Sequence, residues 1–435
     1  MLDLFGAVAV WLKTLGLPVT NPPTAEVKVA QVQPQPLLSA RWWLVPEPRG
    51  EASLNQYLQQ LTQQGFDPDQ QGIWLQSSTA FLSSHGGDRP LPAASITKAA
   101  TSVVALQTWG HNHQFVTTIA ATGPIQKGVL QGDLVVQGSG DPLFVWEEAF
   151  VLGQSLNRMG IQRVTGNLII SGKFAMNYET DPGVAGQFLR EGLDSRLWSG
   201  EAAAQFDTLP GGSPQPRVAI DGGVKVSQSP PPATLLISHR SLPLFELLHY
   251  MNMYSNNMMA EMLAENLGGA SLLAQKAARA AGVPPTEIQL INGSGLGHEN
   301  RISPRAACGL FQAIQRLLEP QGLTIADVFP MAGVDRGTVE GRKMPKAAVV
   351  KTGTLWDVSA LAGAIPTRDY GTVWFAIINR GDNLDGFRRD QDRLLQALIK
   401  DWGYASTLPA EFRHQPSQGR LGDPQRNQVV LKPSS

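Results

Sequence analysis

Between Val349 and Ile378 the chain carries three short apolar segments, Val349–Leu355, Ala360–Ile365 and Thr372–Ile378, each bounded by Gly or Pro. Segments of this length, so close together, predict antiparallel neighbours in one sheet. The apolar spacing of Phe387–Trp402 predicts a helix that closes this part of the fold.

Upstream the pattern changes several times. Residues 18–38 hold Pro18, Pro22, Pro23, Pro34 and Pro36 without periodicity and read as a linker, so folding proper begins near Arg41. Gly72–Gln76 and Thr79–Ser83 read as strands, Gly86 and Gly87 as a turn, and a helix begins near Ser95. Residues 128–136 and 164–170 are short Val- and Ile-rich strands, and 205–233 is rich in Pro and Gly, so a separate β-rich unit is expected here. Helical periodicity returns at 242–253, 258–267 and 305–318, the last with Ser303 as N-cap and Pro304 at the first helical position. From Ser406 the chain is polar and Pro-containing, which predicts a poorly ordered tail.

At 435 residues a length-based expectation is two or three domains, and 42% hydrophobic against 16% charged residues describes a chain that folds. A net charge of -1 with Lys and Arg dispersed supplies no field for nucleic acid. Cys308 stands alone, so neither an internal disulfide nor a thiolate zinc site can form. His111 and His113 lack further ligand spacing, and neither a dinucleotide fingerprint nor a phosphate loop is present, so no metal or cofactor is expected. The apolar run Leu4–Leu12 is too short to span a bilayer; it reads either as a weak signal peptide or as an ordinary buried segment.

Three short motifs can carry chemistry. In Ser95-Ile96-Thr97-Lys98, positions i and i+3 share a helix face, so the lysine reaches the serine hydroxyl. The flanking Ala99, Ala100, Val103, Val104 and Leu106 draw Lys98 inside, where its pKa falls and it can accept the serine's proton. Ser255-Asn256-Asn257 sits between two helices on a methionine-rich base, a hydroxyl and an amide two residues apart. Lys351-Thr352-Gly353-Thr354 lies on a strand with Lys351 and Gly353 on one face; Gly353 admits a substrate backbone, and the strand can bind an extended peptide while Lys351 attracts a carboxylate. Each motif alone has a plain alternative, respectively a solvated helix, a capped helix-helix turn and a strand end.

In this order the three resemble the signature set of serine penicillin-recognising enzymes. With Gly138–Pro142, Asn292–Leu296, Asn300–Pro304 and Val358–Gly363, the chain from about Trp74 to Arg380 resembles the class C low-molecular-mass penicillin-binding proteins, the D-alanyl-D-alanine carboxypeptidase/endopeptidase family. The resemblance implies an α/β (α+β) fold of the penicillin-binding or serine β-lactamase-like transpeptidase type, an antiparallel sheet flanked by helices with an inserted β-rich region. The corresponding division is an N-terminal segment and linker over 1–38, a catalytic domain over 39–122 plus 235–405, an inserted domain over 123–234 and a flexible tail over 406–435. The stretch between Lys98 and Ser255 is short for two inserted domains, which implies that one is reduced or missing.

Carried over residue by residue, the resemblance makes Ser95 the nucleophile, Lys98 its general base, and Ser255 and Asn257 groups that relay protons and position substrate. Lys351 and Thr352 then recognise a carboxylate, and the backbone N–H groups of Ser95 and Thr354 form an oxyanion hole. Asn256 and Asn292 depart from the family, where Asp is common at both places. The implied activity is hydrolysis of peptidoglycan stem peptides ending in D-Ala-D-Ala, with β-lactams as acylating inhibitors. It implies a periplasmic or envelope location and possible peripheral association with the envelope. Two rivals are a serine β-lactamase, which needs rapid deacylation, and a non-catalytic peptidoglycan-binding protein on the same fold, against which the intact Ser95, Lys98 and Lys351 argue.

Overall fold

A computed structural model describes residues 45–415 and 419–430. The N-terminal apolar run and the linker over 18–38 lie outside the described residues. The chain divides into two compact units, one of residues 114–242 with the described residues 419–430, the other of the described residues before 114 and from 243 to 415.

The larger unit is organised by a five-stranded antiparallel sheet in the order Val349–Leu355, Val358–Thr367, Gly371–Arg380, Gly72–Ser77, Phe81–His85. All three expected C-terminal strands are present and paired in sequence order, the second and third longer than expected because their hairpin partners extend them. Alternation then sorts the side chains by face. Ile73, Leu75, Val350, Leu361, Val373, Phe375 and Ile377 join one core with Leu54, Tyr57 and Leu61 of the helix Pro48–Gln63 and Leu394, Leu395, Leu398 and Trp402 of the helix Leu384–Trp402. Burying each of these large side chains stabilises the fold by about 1.5–3 kcal/mol. The same alternation places Lys351, Gly353, Ala360, Ala362, Ala364 and Ala376 on the opposite face, where small residues leave room for close approach. The helices Thr97–Trp109 and Pro304–Leu318 pack in this unit, the latter begun by Ser303, whose hydroxyl accepts from the Ala306 N–H at 3.0 Å, with Pro304 behind it as expected. Two helices, Pro48–Gln63 and Ala270–Ala281, were not expected from the sequence; the first is capped by Glu47, outside the usual capping types.

The other unit holds a six-stranded sheet, ordered Val224–Val226, Leu168–Lys173, Leu134–Ser139, Val116–Ala121, Thr234–Arg240, Asn427–Val429, and a smaller four-stranded one. Beyond the expected strands it contains the helices Trp146–Arg158, Pro182–Leu193 and Gly200–Phe206. Leu134–Ser139, Leu168–Lys173 and Val224–Val226 pair in parallel, and parallel neighbours require such crossovers. The boundaries also differ from the expected 123 and 234. Val116–Ala121 and Thr234–Arg240 pair with each other inside this sheet, so both belong to it. The expected poorly ordered tail is, over 427–429, a strand on this sheet's edge: Asn427–Val429 pairs with Thr234–Arg240.

A buried charge fastens that edge. Glu148 is fully buried, and its carboxylate pairs with Arg426 and accepts from the Gly422 N–H at 3.1 Å. The neighbouring His239 ring donates to Asn427 Oδ1 at 2.7 Å, and burial, then Arg426, pushes its pKa down to about 3, so it stays neutral. Removing one partner of such a pair strands a charge, so Arg426→Ala is expected to destabilise this unit by about 3–5 kcal/mol. Hydrogen exchange over Thr234–Arg240 measures the loss, and Glu148→Gln in the same chain should restore much of it.

Candidate active site

Ser95 lies in a tight turn, Ala94–Ile96, that runs directly into the helix Thr97–Trp109. Ala94 takes the left-handed backbone conformation, φ 45°, which turns the chain sharply just before the serine. The helix is buried over its first ten residues, Thr97 to Leu106, and Lys98 has no exposed surface. Its ammonium group donates to Ser95 Oγ at 3.0 Å, Asn257 Oδ1 at 2.7 Å and the Ser294 carbonyl at 2.9 Å. Burial pulls its pKa down to about 7, while the Glu261 carboxylate pulls the other way. Of the three partners only the serine hydroxyl can donate a proton, since an amide oxygen and a carbonyl can only accept. Once Lys98 loses a proton, its lone pair therefore faces Ser95.

The second motif forms a kink between the helices Leu244–Met253 and Asn257–Asn266. Ser255 takes φ 55°, a conformation that costs a non-glycine residue about 1–2 kcal/mol. Asn256 caps the second helix, its side-chain oxygen accepting from the Met259 N–H at 3.0 Å. Asn and Asp cap about equally well, so the departure at this position leaves the kink intact. Asn257 and Ser255 consequently serve different lysines, Asn257 accepting from Lys98 and Ser255 from Lys351.

Lys351 and Gly353 share a face of the edge strand Val349–Leu355, as its alternation predicts. Lys351 is fully buried and donates to Ser255 Oγ at 3.0 Å and to the Thr352 carbonyl at 2.8 Å. Burial, then the charge on Lys98, holds its pKa well below that of an ordinary lysine. Among the described residues no carboxylate pairs with it. Gly353 has a nearer reason than the expected approach of a substrate: a Cβ there would stand 2.9 Å from the Ala93 carbonyl and 3.1 Å from Ala94 Cβ. Glycine at this position lets the strand close on the turn that carries Ser95. Thr352 is half-buried, and Thr354 is exposed with its hydroxyl accepting from Arg388 at 3.1 Å.

The segment 292–300 completes the cluster. Asn292 Oδ1 accepts from the Gly295 N–H at 2.9 Å and its amide donates to the Leu296 carbonyl at 2.7 Å. An ionised Asp could make only the first of these bonds, which accounts physically for Asn at this second departure. Asn300 ties the segment's ends by accepting from the Ile291 N–H at 3.0 Å and donating to the Leu296 carbonyl at 3.0 Å. The sequence reading missed Glu261, which accepts from the Gly293 and Ser294 N–H groups at 3.0 Å each. The only signal was its place one helical turn after Asn257. The Gly138–Pro142 segment belongs to the other unit, where Asp141 accepts from the Leu143 N–H at 2.9 Å and burial raises its pKa to about 7.

The chain is similar to known proteins in sequence and in fold. A family model described as "D-Ala-D-Ala carboxypeptidase 3 (S13) family" matches residues 52–185 and 215–398. Among curated relatives, a D-alanyl-D-alanine carboxypeptidase from Actinomadura sp. is 24% identical over 78% of this chain and 82% of its own length. A D-alanyl-D-alanine carboxypeptidase DacB from Haemophilus influenzae is 23% identical over 65% of this chain and 79% of its own. Among solved structures, a predatory peptidoglycan endopeptidase from Bdellovibrio bacteriovorus superposes with a TM-score of 0.67 at 21% identity, covering 82% of this chain and 98% of that one. Penicillin-binding protein 4 from Haemophilus influenzae superposes with a TM-score of 0.60 at 18% identity, covering 80% and 99%.

Gly295 takes φ 87°, and a Cβ on it would stand 1.9 Å from the Ala94 carbonyl. Gly295→Ala is expected to cost about 3 kcal/mol from overpacking and backbone strain together, read as a lowered midpoint in thermal unfolding.

Proposed function

The chain belongs to the D-Ala-D-Ala carboxypeptidase 3 (S13) family and is a serine-type peptidase of that family, and from this premise we propose that Ser95 forms the acyl-enzyme with Lys98 as its general base. One observation carries the assignment: Lys98 is buried, its pKa is brought to about 7, and Ser95 is the one hydrogen-bond partner from which it can take a proton. Ser95 Oγ attacks the carbonyl carbon between two D-alanines as its proton passes to Lys98 Nζ. Backbone N–H groups of Ser95 and Thr354 stabilise the oxyanion. Ser255, whose hydroxyl accepts from Lys351, gives its own proton to the departing amine and takes in exchange the proton held by Lys98, so the terminal D-alanine leaves, the ester on Ser95 remains and Lys98 is neutral again. Water, deprotonated by the same lysine, then attacks that ester, and the proton on Lys98 passes to Ser95 Oγ as the acid leaves, which restores both serine and neutral base.

The substrate's carboxylate supplies the negative partner that buried Lys351 lacks, with Thr352 beside it. Val349–Leu355 is an edge strand whose outer side is taken at Val350 by the Pro330 carbonyl, and from Thr352 onward its outer backbone groups can pair with an extended peptide, with Gly353, Thr354 and Asn257 flanking its course. A β-lactam ring offers the same carbonyl to Ser95, but its leaving amine stays tethered in the site. A penicillin G-acylated form of the Bdellovibrio endopeptidase, 23% identical to this chain, supports that expectation. Carboxypeptidase and endopeptidase cleavage share this chemistry, and both are included in the reading. Peptidoglycan lies outside the cytoplasmic membrane, which supports action in the periplasm or envelope; among the described residues no helix is long and apolar enough to cross a membrane.

The test is labelling by a fluorescent penicillin alongside release of D-alanine from a peptide ending in D-Ala-D-Ala. Persistent label with D-alanine release, both lost in Ser95→Ala, is the expected result; label that vanishes within a turnover without peptide cleavage would mean a β-lactamase. No label in the wild type would leave a binding protein on this fold. The base must be neutral to act, so the acylation rate should rise with pH through about 7 and fall about tenfold per unit below it. Lys98→Arg, which cannot deprotonate, should lower the plateau by about 100- to 10,000-fold.

A further inference from the structure

On the reading that Ser95 is the nucleophile and Lys98 its base, we propose that Glu261 is a positioning residue that holds the Ser294 carbonyl against Lys98 and biases the lysine's proton. One helix delivers both contacts. Asn257 starts the helix Asn257–Asn266 and touches Lys98 directly, and Glu261, four residues on and therefore on the same face, reaches the segment 293–294.

The grip on that segment is two-sided. Glu261 Oε2 accepts from the Gly293 N–H and Oε1 from the Ser294 N–H, each at 3.0 Å, so one carboxylate fixes two successive peptide groups. The carbonyls of the same two residues are held from the helix Thr97–Trp109: Thr101 Oγ1 donates to Gly293 O at 2.7 Å, and Lys98 to Ser294 O at 2.9 Å. The backbone also lies directly on the helix that carries Glu261. A Cβ on Gly293 would stand 2.4 Å from Ala264 Cβ and 2.6 Å from the Ala260 carbonyl, so only glycine allows this contact. Moving the carboxylate therefore moves the oxygen on which one Lys98 proton rests.

The charge acts as well as the geometry. The ionisable groups that influence Lys98 and Lys351 here are Glu261, which favours the protonated form of Lys98, and Lys98 itself, which disfavours charge on Lys351 from the edge strand. Glu261 thus opposes the effect of burial, which favours the neutral base. A carboxylate that only braced a loop would leave the titration of acylation where it was.

The full-length chain is followed for its rate of acylation by a fluorescent penicillin from pH 5 to 9, in the wild type, Glu261→Gln and Glu261→Asp. Glu261→Gln should move the acid limb to lower pH by about half a unit or more, because the neutral base becomes easier to form. Its plateau should fall about tenfold, because an amide N–H then faces one of the two backbone N–H groups. Glu261→Asp keeps the charge one methylene back, so its limb should stay with the wild type while its plateau falls by a smaller factor. A limb that does not move in a folded Glu261→Gln overturns the proposal, whether or not the plateau drops. Thermal unfolding of each variant shows that it is folded, and labelling of Ser95→Ala would overturn the underlying assignment of the nucleophile separately.

Discussion

Everything at this site depends on keeping a lysine amine out of water. Lys98 has no exposed surface, and the cost of burying its charge is what brings it near neutrality at ordinary pH. That cost is bearable because each ammonium proton has an acceptor, and two of the three acceptors come from chain segments remote from the helix that carries the lysine. A second buried lysine, Lys351, lies near enough that the charge on Lys98 adds to burial in making it harder to charge.

Close backbone approach makes such a cluster possible. The sheet face toward the turn that carries Ser95 is lined by Gly353, Ala360, Ala362 and Ala364, whereas the opposite face carries Leu361, Val373, Phe375 and Ile377 against two helices. One face is built for cohesion and the other for proximity. Gly295 and Gly353 pack within contact distance of the Ala93–Ala94 backbone, so the turn that carries Ser95 is pinned from two directions before any substrate arrives. Left-handed backbone at Ala94 and Ser255 shows where the chain bends against its own preference to place these hydroxyls, a pattern that recurs at working sites.

The other unit obeys different requirements. Its parallel strands enforce helical crossovers that the sequence reading passed over. The helix Pro182–Leu193 was hidden by Gly183, Gly186 and Gly192, which weaken helical periodicity. Gly186 is there because a Cβ would meet Val224 Cγ1 at 2.5 Å, a tertiary reason invisible locally. The C-terminal strand Asn427–Val429 was likewise illegible as structure, because three residues of strand have no periodicity and are held by partners at Thr234–Arg240 and by the Glu148 charge.

What could be read from the residues alone was local. Alternation over Val349–Leu355 puts Lys351 and Gly353 on one face, and the Ser95–Lys98 spacing puts the amine and the hydroxyl within reach, because both follow from backbone periods that no distant contact can change. The motif Ser255–Asn257 was legible as a turn but not as a junction, since its two polar residues divide between Lys98 and Lys351, which lie 253 positions apart in the chain. Glu261 carried no signature beyond its place one turn after Asn257; its contacts arise only when residues 32 and 33 positions later fold back onto its helix. Period and spacing decide which groups can be neighbours along an element. Which of them share a proton depends on packing between elements, because hydrogen bonds and desolvation act over a few ångströms of space and take no account of distance along the chain.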